Sequence, residues 1–149
     1  MGDKAGIEDV LRRAKVLRLA MCREGKPYVV PMNFGYQDGI IYLHSAPRGT
    51  KMEILRSNPD VCFEADVEVE ITSSETPCKW GAKYRSVIGF GKAGFVEDIE
   101  EKKKALDILM RHYGGGFMDF ADSEKARKAM DGIVVLKIPV KGITLKARK

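Results

Sequence analysis

The alternation of apolar and polar residues predicts a short helix followed by three consecutive antiparallel strands. Four apolar residues recur at helical spacing near the start of the chain: Ile7, Val10, Leu11 and Ala14. Three stretches typical of strands follow, over residues 17–22, 27–36 and 40–46. A turn at residues 23–26 separates the first two, and Asp38-Gly39, a pair typical of two-residue hairpins, precedes the third. These strands should therefore pair with their neighbours in sequence.

The middle of the chain predicts a short helix and two long strands. Thr50 and Glu53 have the spacing of a capping box, and Pro59 requires the helix that they open to end just before it. Residues 61–71 alternate apolar side chains with acidic ones, so one face of this strand should lie in water. Residues 84–97 also follow a strand pattern, which three glycines interrupt.

The last third predicts two helices and two strands. Asp98 and Glu101 form a second capping signal, and an apolar stripe follows at Leu106, Leu109, Met110 and Tyr113. A shorter helix is expected over 123–130, and strands are expected over 133–139 and 143–147. Six or seven strands with short connecting helices indicate a β-rich α+β domain whose antiparallel sheet forms a closed or partly closed barrel. Since no linker or repeat is visible, residues 1–149 form one domain.

The composition is that of a globular protein that neither spans a membrane nor binds nucleic acid. The chain has 149 residues, 44% of them hydrophobic and 32% charged, which suits a globular protein with its own core. No apolar run approaches the roughly 20 residues of a membrane span, and no signal segment is visible, so we expect a cytoplasmic protein. The net charge of +5 suits an anionic ligand or a solvated surface. Because Lys and Arg are spread along the chain, we expect no nucleic-acid partner.

Several kinds of site are excluded by spacing. Cys22, Cys62 and Cys78 are far apart and form no C-x-x-C pair, which argues against disulfides and thiolate metal sites. We expect Cys22 and Cys62 to be small core residues and Cys78 to lie in a loop. The G-x-G-x-x-G at residues 89–94 lies inside a strand pattern rather than before a helix, so we reject a dinucleotide-binding fold. No nucleophile motif and no metal-ligand cluster is present.

Residues 44–51 (HSAPRGTK) are the most informative segment for chemistry. A strand ends there in an imidazole and a hydroxyl, a glycine allows close approach of the backbone, and a helix begins. The free N–H groups and dipole of a helix start bind anions. Lys51 and Arg48 would add charge, and Thr50 and Ser45 would add hydroxyl donors. The segment predicts a phosphate site. An ordinary helix start with surface cations is the alternative.

The two histidines have different expected roles. His112 falls in the last turn of the helix that Asp98 opens, where a cation suits the helix dipole, so we expect a structural role. His44 lies beside the predicted phosphate loop and is expected to line a ligand pocket, with a buried, hydrogen-bonded histidine as the alternative. His44 and Tyr84 are the candidates for a proton donor.

Four motifs in order resemble the pyridoxamine-phosphate-oxidase-like FMN-binding split barrels, and within them the nitroimidazole-resistance branch. They are VPMNFGY at 30–36, IYLHSA at 41–46 with Gly49 and Lys51, NPxVCF at 58–63, and YRSVIGFG at 84–91. The resemblance covers roughly residues 16–113. It implies an antiparallel split barrel and a homodimer that holds FMN in the groove between two protomers.

The resemblance also implies the cofactor contacts. Pro31, Met32 and Asn33 would line the isoalloxazine ring, and His44, Ser45 and Ala46 would run beneath the ribityl chain. The phosphate would be held by Gly49, Thr50 and Lys51, and Arg85 and Ser86 would reach it from the next long strand. The C-terminal residues 140–149 lack the substrate cluster of the vitamin B6 oxidases, which argues against that reaction.

Two functions follow from this resemblance. The first is an FMN-dependent oxidoreductase that reduces a small molecule such as a nitroaromatic, with electrons from NAD(P)H or a protein donor, because the flavin carries out the redox chemistry. The second is a non-catalytic protein that binds flavin or haem. Members of the wider superfamily bind haem or deazaflavin as well as FMN.

Overall fold

The computed structural model describes residues 3–115 and 124–149. The helices are α1 (Lys4–Arg13), α2 (Thr50–Ser57), α3 (Ile99–His112) and α4 (Glu124–Asp131), with a 3-10 turn at Pro77–Lys79. The strands are β1 (Leu17–Arg23), β2 (Lys26–Met32), β3 (Gly35–Gln37), β4 (Ile40–Ser45), β5 (Asp60–Thr72), β6 (Gly81–Lys92), β7 (Gly94–Val96) and β8 (Val134–Arg148). The predicted start of α4 at Ser123 lies outside the described residues.

The strands form one antiparallel sheet that curls into a split barrel without closing. Their order is β2-β1-β5-β6-β8-β4-β3, and β7 pairs separately with β8. The predicted β-rich α+β class and split-barrel architecture are confirmed. Within the described residues the sheet has eight strands, one more than the upper end of the predicted range. The predicted strands 27–36 and 84–97 are each divided, at Asn33-Phe34 and at Ala93.

The two strands predicted at the end of the chain are in fact the single strand β8. Its first half pairs with β4 and β7, and its second half pairs with β6. The register shifts by one residue where Gly91 pairs with Val140 and Phe90 with Gly142. This irregularity bends β8 from one part of the sheet into the other, so the Pro139–Gly142 segment is a bulge rather than a turn.

Two hydrophobic cores lie on opposite faces of the β4–β8 part of the sheet. The main core fills the barrel, and α1 covers it with Ile7, Val10 and Leu11. The second core lies between the sheet and α3, where Tyr42 of β4 and Val135 of β8 meet Leu106 and Leu109. The predicted cap of α3 is confirmed, since the Asp98 carboxylate accepts a hydrogen bond from the Glu101 N–H at 3.0 Å.

The outer face of the barrel carries residues that the pattern assigned to the core. Cys22 and Cys62 are only half-buried, so the prediction that they are core residues is wrong. Cys62 pairs with Ala20 and Phe90, and Phe90 is exposed, whereas its neighbours Val61 and Phe63 point inward. No helix in the described part of the chain is long and apolar enough to cross a membrane.

The glycines of the 89–94 motif allow close packing. A side chain on Gly89 would overlap the ring of the fully buried Phe63, which occupies the barrel interior opposite it. The β6 strand continues through Gly89 and Gly91, and no helix opens on the motif. The rejection of a dinucleotide fold is therefore consistent with the packing.

Candidate functional site

The corner where β4 ends and α2 begins has the backbone of an anion site. Gly49 is the N-cap residue of α2 and has a φ of 124°, a conformation that only glycine adopts without strain. The segment from Ala46 to Thr50 is exposed. The corner is therefore open to a ligand, and its shape depends on a glycine at position 49.

The start of α2 lacks a side-chain cap. Thr50 is the first helical residue rather than the cap, so the predicted capping box with Glu53 does not form. The Glu53 N–H bonds to the Gly49 carbonyl at 3.1 Å, as in any α-helix. The N–H groups of Thr50, Lys51 and Met52 precede the first intrahelical bond and lack an acceptor from a capping side chain. Within residues 3–115 and 124–149, these three donors at the positive end of the helix dipole therefore have no capping side chain as a partner.

Lys51 lies in this first turn and is half-buried. Burial lowers the pKa of its ammonium group. Within residues 3–115 and 124–149, no carboxylate forms an ion pair with Lys51. A partly desolvated cation without a counter-charge favours an anionic ligand that would replace the lost hydration.

The end of β4 divides its side chains between two faces. Ser45 is 7% exposed on the barrel side, and its hydroxyl donates to the Ala46 carbonyl at 2.9 Å. His44 is exposed on the opposite face, which is also the face of Tyr42 and α3. A ligand that contacts both side chains would therefore have to pass across the end of the strand.

The end of β2 approaches the same region. Pro31 and Asn33 are exposed, whereas Met32 is 8% exposed and belongs to the main core. Asn33 occupies the break between β2 and β3, where it is free of the sheet ladder. Pro31 and Asn33 are therefore available to a ligand through their side chains.

Asn33 and His44 together line a cavity of about 440 Å³. The other described residues of its wall belong to α3, α4 and the start of β8: Leu106, Leu109, Met110, Tyr113, Ala129, Met130 and Ile133. Most of this surface is apolar, and the two polar side chains lie on the sheet side. The structure thus brings together two predicted site residues, one from the break after β2 and one from β4.

Arg85 and Ser86 do not join this corner within one protomer. As neighbours on β6 they point to opposite faces of the sheet. The Arg85 guanidinium donates to the Asp9 carboxylate of α1 at 2.6 Å, and Ser86 pairs with Asp66 in the strand register. Arg85 pairs with Ala147 of β8 and His44 with Val135, so twelve positions of β8, about 40 Å of extended chain, separate them along the strand.

Comparison with known proteins identifies the family. The family model for pyridoxamine 5'-phosphate oxidase matches residues 3–147. The chain belongs to this family. The resemblance that the four motifs predict is therefore confirmed.

Two solved structures illustrate the relationship. A candidate 5-nitroimidazole antibiotic resistance protein from Bacteroides thetaiotaomicron VPI-5482 is 38% identical, with a TM-score of 0.80 and coverage of 97% of this chain and 84% of that chain. The FAD and heme binding protein from Mycobacterium smegmatis is 18% identical, with a TM-score of 0.87 and coverage of 100% and 73%. At that identity the likeness shows the fold alone.

A curated relative matches only part of the chain. The uncharacterized protein RA0666 of Rhizobium meliloti (strain 1021) is 35% identical over 57 residues. The aligned segment is 38% of this chain and 37% of RA0666.

In this member of the pyridoxamine 5'-phosphate oxidase family, sequence reasoning missed the role of Tyr113. Its hydroxyl accepts from the Phe34 N–H at 3.0 Å and donates to the Lys15 carbonyl at 2.8 Å. The Tyr113 ring also forms part of the cavity wall. Tyr113 therefore fixes the backbone beside Asn33, and its place in an apolar helical stripe predicts only core packing.

The neighbouring His112 has the structural role that its position predicts, for a different reason. Its Nε2 lies 2.7 Å from the Ala14 carbonyl, so this nitrogen carries a proton and donates it. Burial lowers the pKa of the half-buried imidazole, which favours the neutral form rather than a cation at the helix end. Tyr84, the other candidate proton donor, pairs with Arg148 at the far end of β8 from His44. Within the described residues no group of side chains could hold a metal ion.

Proposed function

We propose that this protein binds FMN with its phosphate at the start of α2 and acts as an FMN-dependent oxidoreductase. It would reduce a small molecule such as a nitroaromatic, with electrons from NAD(P)H or a protein donor. The observation that carries the proposal is Lys51, a half-buried cation without a paired carboxylate in the described structure, at a helix start whose N–H groups lack a side-chain cap.

The donor set fits a phosphate dianion. The first turn of α2 supplies three backbone N–H groups, the Thr50 hydroxyl and the Lys51 ammonium, and no atom lies within 4 Å of the place where a side chain on Gly49 would begin. Charge-assisted bonds of this kind are roughly twice as strong as neutral ones. A neutral ligand would leave the Lys51 charge partly desolvated, which makes an anion the better partner.

The remaining predicted contacts fit an extended ligand that starts at this corner. Asn33 and His44 present polar side chains on the α3 side of the sheet, and the apolar cavity beside them would limit access of water. When bound, the flavin would supply hydride or electron transfer, while the chain supplies binding and orientation. Membership of the family and the name of the Mycobacterium smegmatis FAD and heme binding protein support a flavin.

The proposal includes a homodimer. The outer face of the barrel exposes an apolar row across β2, β1, β5 and β6, composed of Val29, Ala20, Cys62 and Phe90 in register. Ile88 lies two positions along β6 on the same face and is also exposed. An apolar row of this kind suits a protein interface. A second copy on this face could bring its own Arg85 or Ser86 near the Lys51 corner, which one protomer does not do.

The phosphate contact is tested with two ligands and two proteins. FMN and riboflavin differ only in the phosphate, so their dissociation constants isolate its contribution. Lys51→Ala should weaken FMN binding by about 1.5–3 kcal/mol, roughly 10- to 150-fold, because a charge-assisted contact is lost. Riboflavin binding should change by less than about twofold, since it has no group for the lysine. Flavin fluorescence quenching measures all four values.

The exposed Lys26 provides the matched control. Lys26→Ala removes the same charge from the start of β2 and should leave FMN binding within about twofold of the original protein. An equal loss of FMN and riboflavin affinity in Lys51→Ala would contradict a phosphate contact. A Soret band in place of flavin bands in the purified protein would move the assignment to haem.

The dimer is tested by sedimentation. Phe90→Glu introduces a charge at a 56% exposed position of the apolar row and should shift the protein to monomer. Ile99→Glu, at a 42% exposed apolar position at the start of α3, is the control and should leave the dimer intact. A strict monomer that binds FMN tightly would contradict the shared groove.

A further inference from the structure

Two carboxyl groups and one guanidinium lie beside the apolar row on the outer face of the barrel. Two positions along each strand from that row, the residues in register are Pro31, Arg18, Glu64 and Ile88. Asp66 follows Glu64 on the same face of β5. The Arg18 Nη1 lies 3.1 Å from Oδ2 of Asp66 and 3.5 Å from Oε1 of Glu64. One cation is therefore shared by two carboxyl groups, and we call these three side chains the Arg18 trio.

The charges of the Arg18 trio do not balance when both carboxyl groups are ionised. The trio then carries one excess negative charge, although the side chains of Glu64 and Asp66 are only 32% and 27% exposed. Burial, followed by the hydrogen bond and the charge of Asp66, raises the pKa of Glu64 to about 7, against the opposing effect of Arg18. A proton held between the two carboxyl groups makes the trio neutral.

The strands on the other side of β5 place one more cation near the trio. Ile88 of β6 lies opposite Glu64, and Ser86 lies opposite Asp66. The next position in the Ser86 row is Lys146 of β8, two strand spacings or about 10 Å from Asp66. At about one Debye length its attraction for the carboxyl groups is weakened by screening. Lys146 therefore reduces the effect of the excess charge without removing it.

Arg13 and Lys15, which share a surface depression with the trio, have other contacts. Arg13 pairs with Glu68 at 2.8 Å, and the Lys15 ammonium lies 6.0 Å from the centroid of the Tyr113 ring. Within residues 3–115 and 124–149, neither cation forms an ion pair with the trio. The proton, rather than a second cation, is thus the means by which this trio becomes neutral.

The trio lies against the surface that the proposed dimer would cover. Ile88, which is in register with Glu64, is 45% exposed and shares the outer face of β6 with Phe90. Neighbouring strands are about 4.8 Å apart, so a second copy seated on Ile88 would also cover Glu64. Removing water from a neutral trio costs much less than removing it from a trio with an excess charge. Association should therefore depend on the state of the carboxyl groups.

We propose that two copies of this chain associate more strongly through the outer face when Glu64 and Asp66 share a proton, so that pH controls the dimer. The proposal rests on the dimer of the proposed function and adds its regulation. The dimer then binds more protons than the two separate chains. By linkage, association weakens as the pH rises.

Sedimentation equilibrium at about pH 6 and about pH 8.5 tests the proposal. The dimer of the original protein should dissociate at least about tenfold more readily at the higher pH. Glu64→Gln and Asp66→Asn each leave one carboxylate paired with Arg18, so the trio is neutral throughout this range. The dissociation constant of either variant should change by less than about threefold. The α-amino group and the histidines titrate in all three proteins, so their contribution cancels in the comparison.

Glu70→Gln is the matched control. It removes a carboxylate from the same strand, but Glu70 is in register with Lys83 on the opposite face of the hairpin. This variant should keep the pH dependence of the original protein. A dimer of the original protein whose pH dependence equals that of Glu64→Gln would overturn the proposal. So would a dimer that strengthens as the pH rises, which would mean that the partner brings a cation to the trio.

Carbon-13 NMR of labelled Glu and Asp side chains measures the proton directly. One carboxyl signal of the original protein should titrate near pH 7 and be missing from both Glu64→Gln and Asp66→Asn. If every carboxyl group titrated below about pH 5.5, the shared proton would be absent and the proposal wrong.

The proposal and the proposed function fail in different ways. A protein that sediments as a monomer at both pH values would contradict the proposed dimer and, with it, this control by pH. A dimer whose strength does not vary with pH would contradict the control alone. Binding of FMN through Lys51 is measured separately and does not depend on the state of the Arg18 trio.

Discussion

The two ends of strand β8 lie in regions that differ in whether their cations are paired with carboxylates. At its C-terminal half, under α1, charged groups satisfy one another: Asp9 accepts from Arg85 at 2.6 Å and from Arg13 at 3.0 Å, and Arg13 also pairs with Glu68 at 2.8 Å. The hydrogen bonds from Arg13 and then Arg85 lower the pKa of the Asp9 carboxyl. At the other end, beyond β4, Lys51 has no paired carboxylate in the described structure. The paired cations, Arg13 and Arg85, connect elements of the fold, whereas Lys51 is available to a ligand.

Packing differs between the same two regions. The barrel interior is filled, with Leu11, Phe63 and Val87 fully buried and a glycine at position 89 to make room for the Phe63 ring. The layer under α3 and α4 leaves the cavity beside His44. Close packing makes a region intolerant of added volume, whereas a cavity that opens at exposed residues tolerates it. The close-packed barrel interior therefore supplies stability, and the layer under α3 and α4 leaves space for a ligand.

The same added side chain should have very different effects in the two regions. Gly89→Leu forces atoms into the space of the buried Phe63 ring and should lower the free energy of unfolding by about 3 kcal/mol or more. Ala129→Leu adds a similar volume at the cavity rim and should change it by less than about 0.5 kcal/mol. Urea denaturation followed by circular dichroism measures both. A small effect of Gly89→Leu would show that the barrel interior is not close-packed.

A smaller effect is expected at the hydroxyl that connects the cavity wall to the strand break. Tyr113→Phe removes the acceptor of the Phe34 N–H and the donor to the Lys15 carbonyl. It should lower the free energy of unfolding by about 1–2 kcal/mol, because a partly buried N–H loses its partner. Tyr28→Phe, at an exposed position of β2, is the control and should be close to neutral. If the two variants were equally stable, Tyr113 would not fix the Asn33 segment.

The parts of this structure that were predictable are those that local chemistry determines. Asp38-Gly39 specifies a hairpin by its two positive φ angles, and Asp98 caps α3 through a bond three residues away. The course of β8 was not predictable in this way. Pro139 and Gly142 are typical of a turn, but pairing with β4 on one side and β6 on the other keeps the strand continuous. Tertiary pairing thus overrides a local turn signal.

The candidate site shows the same division. The phosphate corner was visible from residues 44–51 because its residues are adjacent in sequence, although the true cap is Gly49 rather than Thr50. The cavity wall from α3 and α4 was not visible, since an apolar helical stripe looks the same whether it fills a core or lines a pocket. Likewise, only the fold shows that Arg85 meets Asp9 of α1. The role of Arg85 toward a cofactor stays a prediction that depends on a second protomer.

The smallest predicted effect concerns His112, which ties the end of α3 to the loop after α1 and so connects the two regions. Burial lowers its folded-state pKa below the usual value of 6.5, and the neutral ring donates to the Ala14 carbonyl. Its stabilising contribution should therefore be complete above the unfolded-state pKa and be lost as the pH falls through the folded-state pKa, because the unfolded chain then binds more protons.

The experiment compares the original protein with His112→Leu by measuring the free energy of unfolding at pH 7.5 and pH 5.5. The value for the original protein should fall more than that for the variant. The carboxyl groups contribute the same pH dependence to both proteins, so their contribution cancels when the two changes are subtracted. Parallel curves for the original protein and His112→Leu would mean that the imidazole is as easily protonated in the fold as outside it, and that the contact between the two regions is not a buried one.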